Sequence, residues 1–254
     1  MKPRLIFFDI DGTLLSHAGK THVPESAEEA VRRLKANGHL PAIATARNPV
    51  LTRKVAAFFG IDLLVCCNGA HVAHGPTLLC SEWLGAGFTR FFRTQIPSLC
   101  PHAYAFDAES IFAENSSDYP VDFIVDQAGF DCRKPISTLE RIHLAYVFTP
   151  LSPSRKKSCE PDADAFATPH YVEFRPKGVS KWSGILKAAA DLGFGTSDIV
   201  AVGDGLNDIE MVRDSALGIA VGGAAPELKS VADYVAEDID EKGIFKAFKT
   251  LNMI

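Results

Sequence analysis

Leu5-Ile6-Phe7-Phe8-Asp9-Ile10-Asp11-Gly12-Thr13 is the stretch from which the fold can be read. Its opening apolar run is unbroken, the pattern of a strand buried on both faces in a parallel sheet covered by helices. Asp9 and Asp11 follow where such a strand ends, and open α/β sheets gather their chemistry at the carboxyl ends of strands. In extended backbone, residues i and i+2 point to the same side, so Asp9 and Asp11 address one small volume. Gly12 lets the chain turn with its amide open to a ligand, and Thr13 adds a hydroxyl. Asp and Gly are also ordinary turn residues, so this stretch alone admits a plain strand end. The rest of the chain decides.

The alternation continues outward. Ser26 and Glu29 have capping-box spacing, and Ala27, Ala30, Val31 and Leu34 give an apolar helical face that Gly38 closes. Leu40–Thr45 reads as the next strand, parallel to the first through a right-handed crossover. It runs into Thr45-Ala46-Arg47-Asn48-Pro49, where Asn48 suits an N-cap and Pro49 the first position of a helix reaching about Phe59. A hydroxyl and a cation thus sit beside a helix N-terminus, a place that favours phosphate; a routine connection with an exposed Arg is the plainer alternative. Leu63–Cys67 is a third strand, followed by Asn68-Gly69-Ala70 and a hairpin, Ala70–Trp83, around His74-Gly75-Pro76. His71 and His74 face opposite sides of a strand and read as hairpin-surface residues rather than a metal pair.

From Leu84 to Lys177 the alternation lapses. A helix-like Gly87–Ile96 mixes with short strand candidates at Ala103–Asp107, Ile111–Glu114, Val121–Val125, His143–Phe148 and Tyr171–Phe174. This pattern predicts an α+β domain inserted into the first, with a core of residues 1–83 and 178–254 and an insertion of 84–177. Beyond Gly178, Ser180 can cap a helix bearing Ile185, Leu186, Ala189 and Leu192. Lys181 stands in its first turn, where the helix dipole disfavours a cation, so it is either solvated or held by carboxylates. Ile199–Val202 is another buried strand, ending in Gly203-Asp204-Gly205-Leu206-Asn207-Asp208. A helix through Met211 and Val212, a strand Leu217–Val221, a helix around Pro226–Val231, an edge strand Tyr234–Ala236 and a helix Lys242–Leu251 complete the pattern. The fold class is α/β, a Rossmann-like parallel sheet with helices on both faces plus the inserted α+β domain.

With 254 residues, 47% apolar and 22% charged, and a net charge of -5, the chain has the composition of a soluble globular protein. That balance gives no electrostatic footprint for nucleic acid or anionic membrane. The basic run Arg155-Lys156-Lys157 lacks interleaved aromatics and reads as a solvated loop. No stretch reaches the roughly 18 apolar residues of a membrane span. The 6 cysteines contain no C-x-x-C pair and fit a reduced, cytoplasmic protein better than a disulfide framework.

Asp9, Asp11, Asp204 and Asp208 all fall just past expected parallel strands, which brings them to one rim. Clustered carboxylates repel unless a cation sits among them, and an oxygen-only cluster suits Mg²⁺. Thr45, Arg47 and Lys181 then supply partners for a phosphate. Together these groups offer the nucleophile, charge neutralisation and proton carrier of phosphoryl transfer.

These segments resemble the motif set of the haloacid dehalogenase superfamily, in its Cof-type branch, subclass IIB. D-x-D-G-T is matched by Asp9 to Thr13, T-G-R appears as Thr45-Ala46-Arg47, the lysine motif supplies Lys181, and G-D-G-x-N-D-x-x-M runs from Gly203 to Met211. The resemblance implies that Asp9 attacks phosphorus to form an aspartyl-phosphate and that Asp11 carries the proton. It also implies Mg²⁺ held by Asp9, the Asp11 carbonyl and Asp204 with support from Asp208, and phosphate bound by Gly12, Thr45, Ala46, Arg47, Lys181 and Asn207. The implied activity is hydrolysis of a small phosphorylated metabolite, a sugar phosphate or phosphorylated cofactor, by a monomer or homodimer. A phosphomutase and a silent binding protein are the alternatives. Two departures stand out. Ala46 replaces a glycine and restricts the backbone there, and Trp182 replaces another, with a ring expected to narrow the substrate entrance. Lys177 is the rival for the lysine role; Lys181 is preferred because it starts a helix that returns to the rim.

Overall fold

The computed structural model describes residues 2–16, 18, 21–100, 102–113, 133–148, 163–168 and 171–254. The expected strand Val121–Val125, the basic run 155–157, Cys132 and Cys159 lie outside the described residues.

The opening run forms β1 (Leu5–Phe8), fully buried. It is the centre of an 8-stranded sheet built with β2 (Leu40–Ala44), β3 (Leu63–Cys66), β4 (His71–His74), β5 (Thr77–Ser81), β12 (Ile199–Gly203), β13 (Leu217–Ala220) and β14 (Tyr234–Val235), in the order β14-β13-β12-β1-β2-β3-β4-β5. Strands β14 through β3 are parallel, and the expected hairpin adds β4 and β5 antiparallel at one edge. The strand order reverses between β12 and β1, the place where open α/β sheets leave a crevice. Helices α1 (Glu25–Ala36) and α2 (Pro49–Phe59) pack together on one face, α1 also against the last helix, here α7 (Gly243–Thr250). Helices α4 (Lys181–Asp191), α5 (Ile209–Asp214) and α6 (Pro226–Lys229) form a second packed group.

One helix start differs from the sequence expectation. Ser26 does not cap α1; the cap is Pro24, in extended backbone, whose carbonyl accepts from the Ala27 and Glu28 amides. Proline fixes φ and brings no amide of its own, and the helix begins two residues early, with Glu25 and Glu28 suited to its N-terminal dipole. Glu29 is instead held by Arg32 and Arg33. Asn48, by contrast, caps α2 through the Leu51 amide, with Pro49 at the first helical position as expected.

A second sheet of 6 strands, ordered β10-β11-β9-β6-β7-β8, is built from β6 (Ala103–Phe106), β7 (Ile111–Ala113), β8 (Arg133–Lys134), β9 (Leu144–Val147), β10 (Asp164–Ala167) and β11 (Val172–Arg175). Helix α3 (Ala86–Leu99) covers one face: Phe88, Phe92 and Ile96 meet Ala105, Ala145, Val147, Val172 and Phe174. Because strand side chains alternate, Tyr104, Phe106 and Leu144 point the other way, where they pack with Leu51, Cys66, Cys67 and Ala70 of the first unit. The same alternation on β11 turns Glu173 and Arg175 away from α3. The inserted sheet therefore turns a mixed face, Glu173 and Arg175 beside Tyr104, Phe106 and Leu144, towards the first unit.

Candidate active site

The register Phe8↔Val202 aligns the ends of β1 and β12, and the Asp9 amide donates to the Val202 carbonyl. Asp9 and Asp204 therefore leave adjacent strands side by side. Carboxylate oxygens of Asp9, Asp204 and Asp208 lie within 4.8 Å of one another. Gly12 has φ +83°, and a Cβ there would run into the Asp204 carboxylate, so the turn of the first motif is shaped around the second acid loop. Thr13 Oγ1 donates to Asp204 Oδ1 at 3.1 Å.

Asp208 is fully buried and both its oxygens are engaged. Oδ2 accepts from the Asp204 and Gly205 amides, and Oδ1 from Lys181 Nζ at 2.6 Å. Lys181 also donates to Asp9 Oδ1 at 2.7 Å. The choice left open for that lysine is resolved: carboxylates hold it, although it sits at a helix N-terminus capped by Ser180. Lys177 instead faces Asp164, 3.8 Å away.

Charge follows from this burial. Desolvation pushes the Asp9 carboxyl well above the usual range, Lys181 opposes it, and the neighbouring acids add to it. Burial and the Asp208 charge push Asp204 up to about 6, against Lys181 and hydrogen bonds involving Thr13 and Asp9. Burial favours neutral Lys181, but Asp208 and Asp9 outweigh it and hold the ammonium well above its ordinary value. A raised carboxylate cluster of hard oxygen donors is what a small divalent cation would relieve, so the donor set fits Mg²⁺. Asp9 and Asp204 are the acids to meet it directly, since Asp208 has no oxygen without a partner.

The other expected residues line the same rim. Arg47, expected at the phosphate or substrate end, is buried and turned to Asp11, with Nε 2.8 Å from Oδ2 and Nη2 2.5 Å from Oδ1. A desolvated guanidinium requires such a partner. Thr45 is buried, and its hydroxyl oxygen accepts from the Arg47 amide. Ala46 does not have positive φ, so the missing glycine costs the backbone nothing there. Trp182, expected at the substrate entrance, instead packs against the apolar core of the first sheet. On α4 it is half-buried. His71 is not a plain surface residue: its ring meets the buried His143 edge-on at 5.4 Å, because the hairpin packs where the two units join.

The structure adds residues that the sequence pattern passed over. Asn68 follows β3, at the same carboxyl-end rim, so the rule that flagged Asp9 and Asp204 applied to it as well. Its Nδ2 donates to Glu173 Oε1 of the inserted sheet at 2.8 Å, and its Oδ1 accepts from Asn207 at 3.0 Å. Arg175 Nε is 3.0 Å from the same Glu173 oxygen, and its guanidinium stacks on Phe166. A cavity of about 600 Å³ lies between the sheets, lined by Phe166, Tyr171, Glu173 and Arg175 on one side and Asn207 and Glu210 on the other. Among the described residues, no helix is long and apolar enough to cross a membrane.

A profile of the haloacid dehalogenase-like hydrolases matches residues 6–128 and 151–248. The protein YkrA of Bacillus subtilis is 31% identical over 265 residues, covering 100% of both chains. The 5-amino-6-(5-phospho-D-ribitylamino)uracil phosphatase YcsE of the same organism is 26% identical, over 97% of this chain and 94% of its own. Among solved structures, the subclass IIB sugar phosphatase BT4131 superposes with a TM-score of 0.83 at 25% identity, over 99% of this chain and 100% of that one.

Proposed function

The chain belongs to the haloacid dehalogenase-like hydrolases, of Cof type, and we propose that it is a Mg²⁺-dependent phosphatase of a small phosphorylated metabolite, acting through an aspartyl-phosphate. The observation that carries this is the Lys181 bridge between Asp9 and Asp208 beside Asp204, at the sheet's switch point.

Lys181 fixes the Asp9 carboxylate by one oxygen, leaving the other for attack on phosphorus. As the Asp9–phosphorus bond forms, the bond to the leaving oxygen breaks and Asp11 gives that oxygen a proton. Asp11 then takes a proton from the water that attacks the aspartyl-phosphate, releasing phosphate and restoring Asp9. Arg47 engages both oxygens of Asp11, so one of them must be released from that pair to carry the proton. Asp9, the Asp11 carbonyl and Asp204, with Asp208 behind them, would hold Mg²⁺, which when bound would supply charge neutralisation for the phosphate. Gly12, Thr45, Ala46, Lys181 and Asn207 surround the phosphate.

Residues 84–177 act as the cap that selects the leaving group, a sugar or phosphorylated-cofactor fragment seated in the cavity between the sheets. The reduced thiols of Cys66, Cys67 and Cys80 suit a cytoplasmic setting. The test is Asp9→Asn. It is expected to abolish Mg²⁺-dependent phosphate release from an aryl phosphate, and undiminished release would remove the assignment.

A further inference from the structure

Asn68 is fully buried and lies in a turn of unusual backbone. Cys67 and Asn68 have φ of 50° and 51°, and Gly69 follows at 99°. Left-handed backbone is uncommon outside glycine, more tolerable for Asn than for Cys, and persists where surroundings impose it. Here the surroundings are the catalytic rim itself. The Cys67 amide donates to the Arg47 carbonyl and the Asn68 amide to the Thr45 carbonyl. Gly69 packs so closely on the Ser180 carbonyl that a Cβ could not enter. The turn is thus pinned to the loop after β2 and to the helix that carries Lys181.

From that platform the Asn68 side chain reaches in two directions. Its amide nitrogen donates to Glu173 on the inserted sheet, and its oxygen accepts from Asn207 on the acid loop. Glu173 is itself held by Arg175 and a hydrogen bond to Tyr146, so it is a fixed point of the cap. The geometry points to Asn68 as a positioning residue that couples the seated cap to the Asn207 loop, so that the phosphate end of the site is ordered only when the cap is down. For catalysis this rests on the phosphatase assignment above.

The donor and acceptor pattern gives a specific test. Asn68→Asp keeps size, tolerance of left-handed backbone and the oxygen that meets Asn207, but sets a carboxylate against Glu173. Asn68→Asp combined with Glu173→Gln reverses the bond, the glutamine amide now donating to Asp while its oxygen stays towards Arg175. Asn68→Gly suits the positive φ and removes both links, which guards against a variant that fails to fold.

Two quantities are read: kcat/KM for a sugar phosphate, and amide hydrogen exchange of residues 172–175 and 205–208. Asn68→Asp and Asn68→Gly are expected to lower kcat/KM at least tenfold and to speed exchange in both segments, roughly as loss of a charge-assisted hydrogen bond predicts. The double variant is expected to return both to within about threefold of the parent. Unchanged exchange in the single variants, or an equal loss in Asn68→Asp and the double variant, would overturn the coupling. Absence of phosphate release from every ester by the parent protein would instead remove the phosphatase assignment, and the exchange measurement would still decide the link.

Discussion

Lys181 Nζ stands 2.6 Å from Asp208 Oδ1, and both side chains are almost completely shielded from water. With Asp9 at 2.7 Å, one ammonium neutralises part of a cluster of buried acids. Removing one partner of a buried pair leaves an uncompensated charge, at about 3–5 kcal/mol. Lys181→Met keeps chain length and loses the charge. It is expected to lose about that much stability at pH 7 in urea unfolding, together with its activity. Lowering the pH to 5 should restore part of the stability, because a protonated carboxyl no longer needs a cation. An undiminished deficit at pH 5 would contradict the charge argument.

Asp204 makes the metal-free protein sensitive to pH in an unusual sense. Its carboxyl is pushed up to about 6 from 3.8. The folded state therefore keeps a proton that the unfolded chain has released. Stability from this group is fully present below about pH 4 and is lost as pH rises through 6, roughly 2–3 kcal/mol in all. Under the proposed function, Mg²⁺ would take the place of that proton. Its stabilisation, read as a shift in Tm, is expected to be small at pH 5 and large at pH 7.5. Equal shifts at both values would count against Asp204 as a ligand.

Gly12 and Gly38 separate strain from function. Both have positive φ, +83° and +81°, but a Cβ at Gly12 meets Asp204 whereas one at Gly38 meets nothing within 4 Å. Alanine at either site should cost about 1–2 kcal/mol for the left-handed backbone. Gly12→Ala should in addition lower Mg²⁺-dependent phosphate release at least tenfold, roughly the 1.4 kcal/mol that a displaced ligand exceeds. Gly38→Ala should leave turnover within twofold or so. Comparable turnover in the two variants would show that the close fit at Gly12 does not matter.

What could be read from the sequence follows the range of the interactions involved. Asp9 and Asp204 were legible because each ends a buried strand, a local pattern, and parallel pairing does the rest. Lys181 was legible only as a choice between water and carboxylates; its partners are 172 and 27 residues away. Asn68 stands at a strand's carboxyl end and is legible by the same rule as Asp9, but its pairing with Glu173, 105 residues away on the inserted sheet, is not. The short strands Arg133–Lys134 and Asp164–Ala167 lie at sheet edges and carry no apolar alternation to reveal them. Trp182 carries no sequence signal for its half-buried place against the core of the first sheet, because that contact depends on how α4 is docked.

His143 packs where the chain enters the inserted unit. The Leu84 amide donates to the Ile142 carbonyl, and His143 Nδ1 donates to the Glu82 carbonyl at 2.6 Å. The ring stacks on Trp83 with centroids 3.7 Å apart, His71 meets its edge, and Nε2 is buried without a partner. Burial pushes its pKa down to about 4, with the His71 charge adding to this and the Glu82 carbonyl and Asp107 opposing it. The folded value lies below the unfolded 6.5, so the neutral ring stabilises the fold above pH 6.5 and that contribution is lost as pH falls towards 4. The full loss is about 3 kcal/mol. His143→Phe keeps the stack on Trp83 and does not titrate. Its stability is expected to fall less than the parent's between pH 7 and pH 4 by about that amount, measured by urea unfolding at each pH. Parallel losses in the two proteins would remove His143 as the group that loosens this junction in acid.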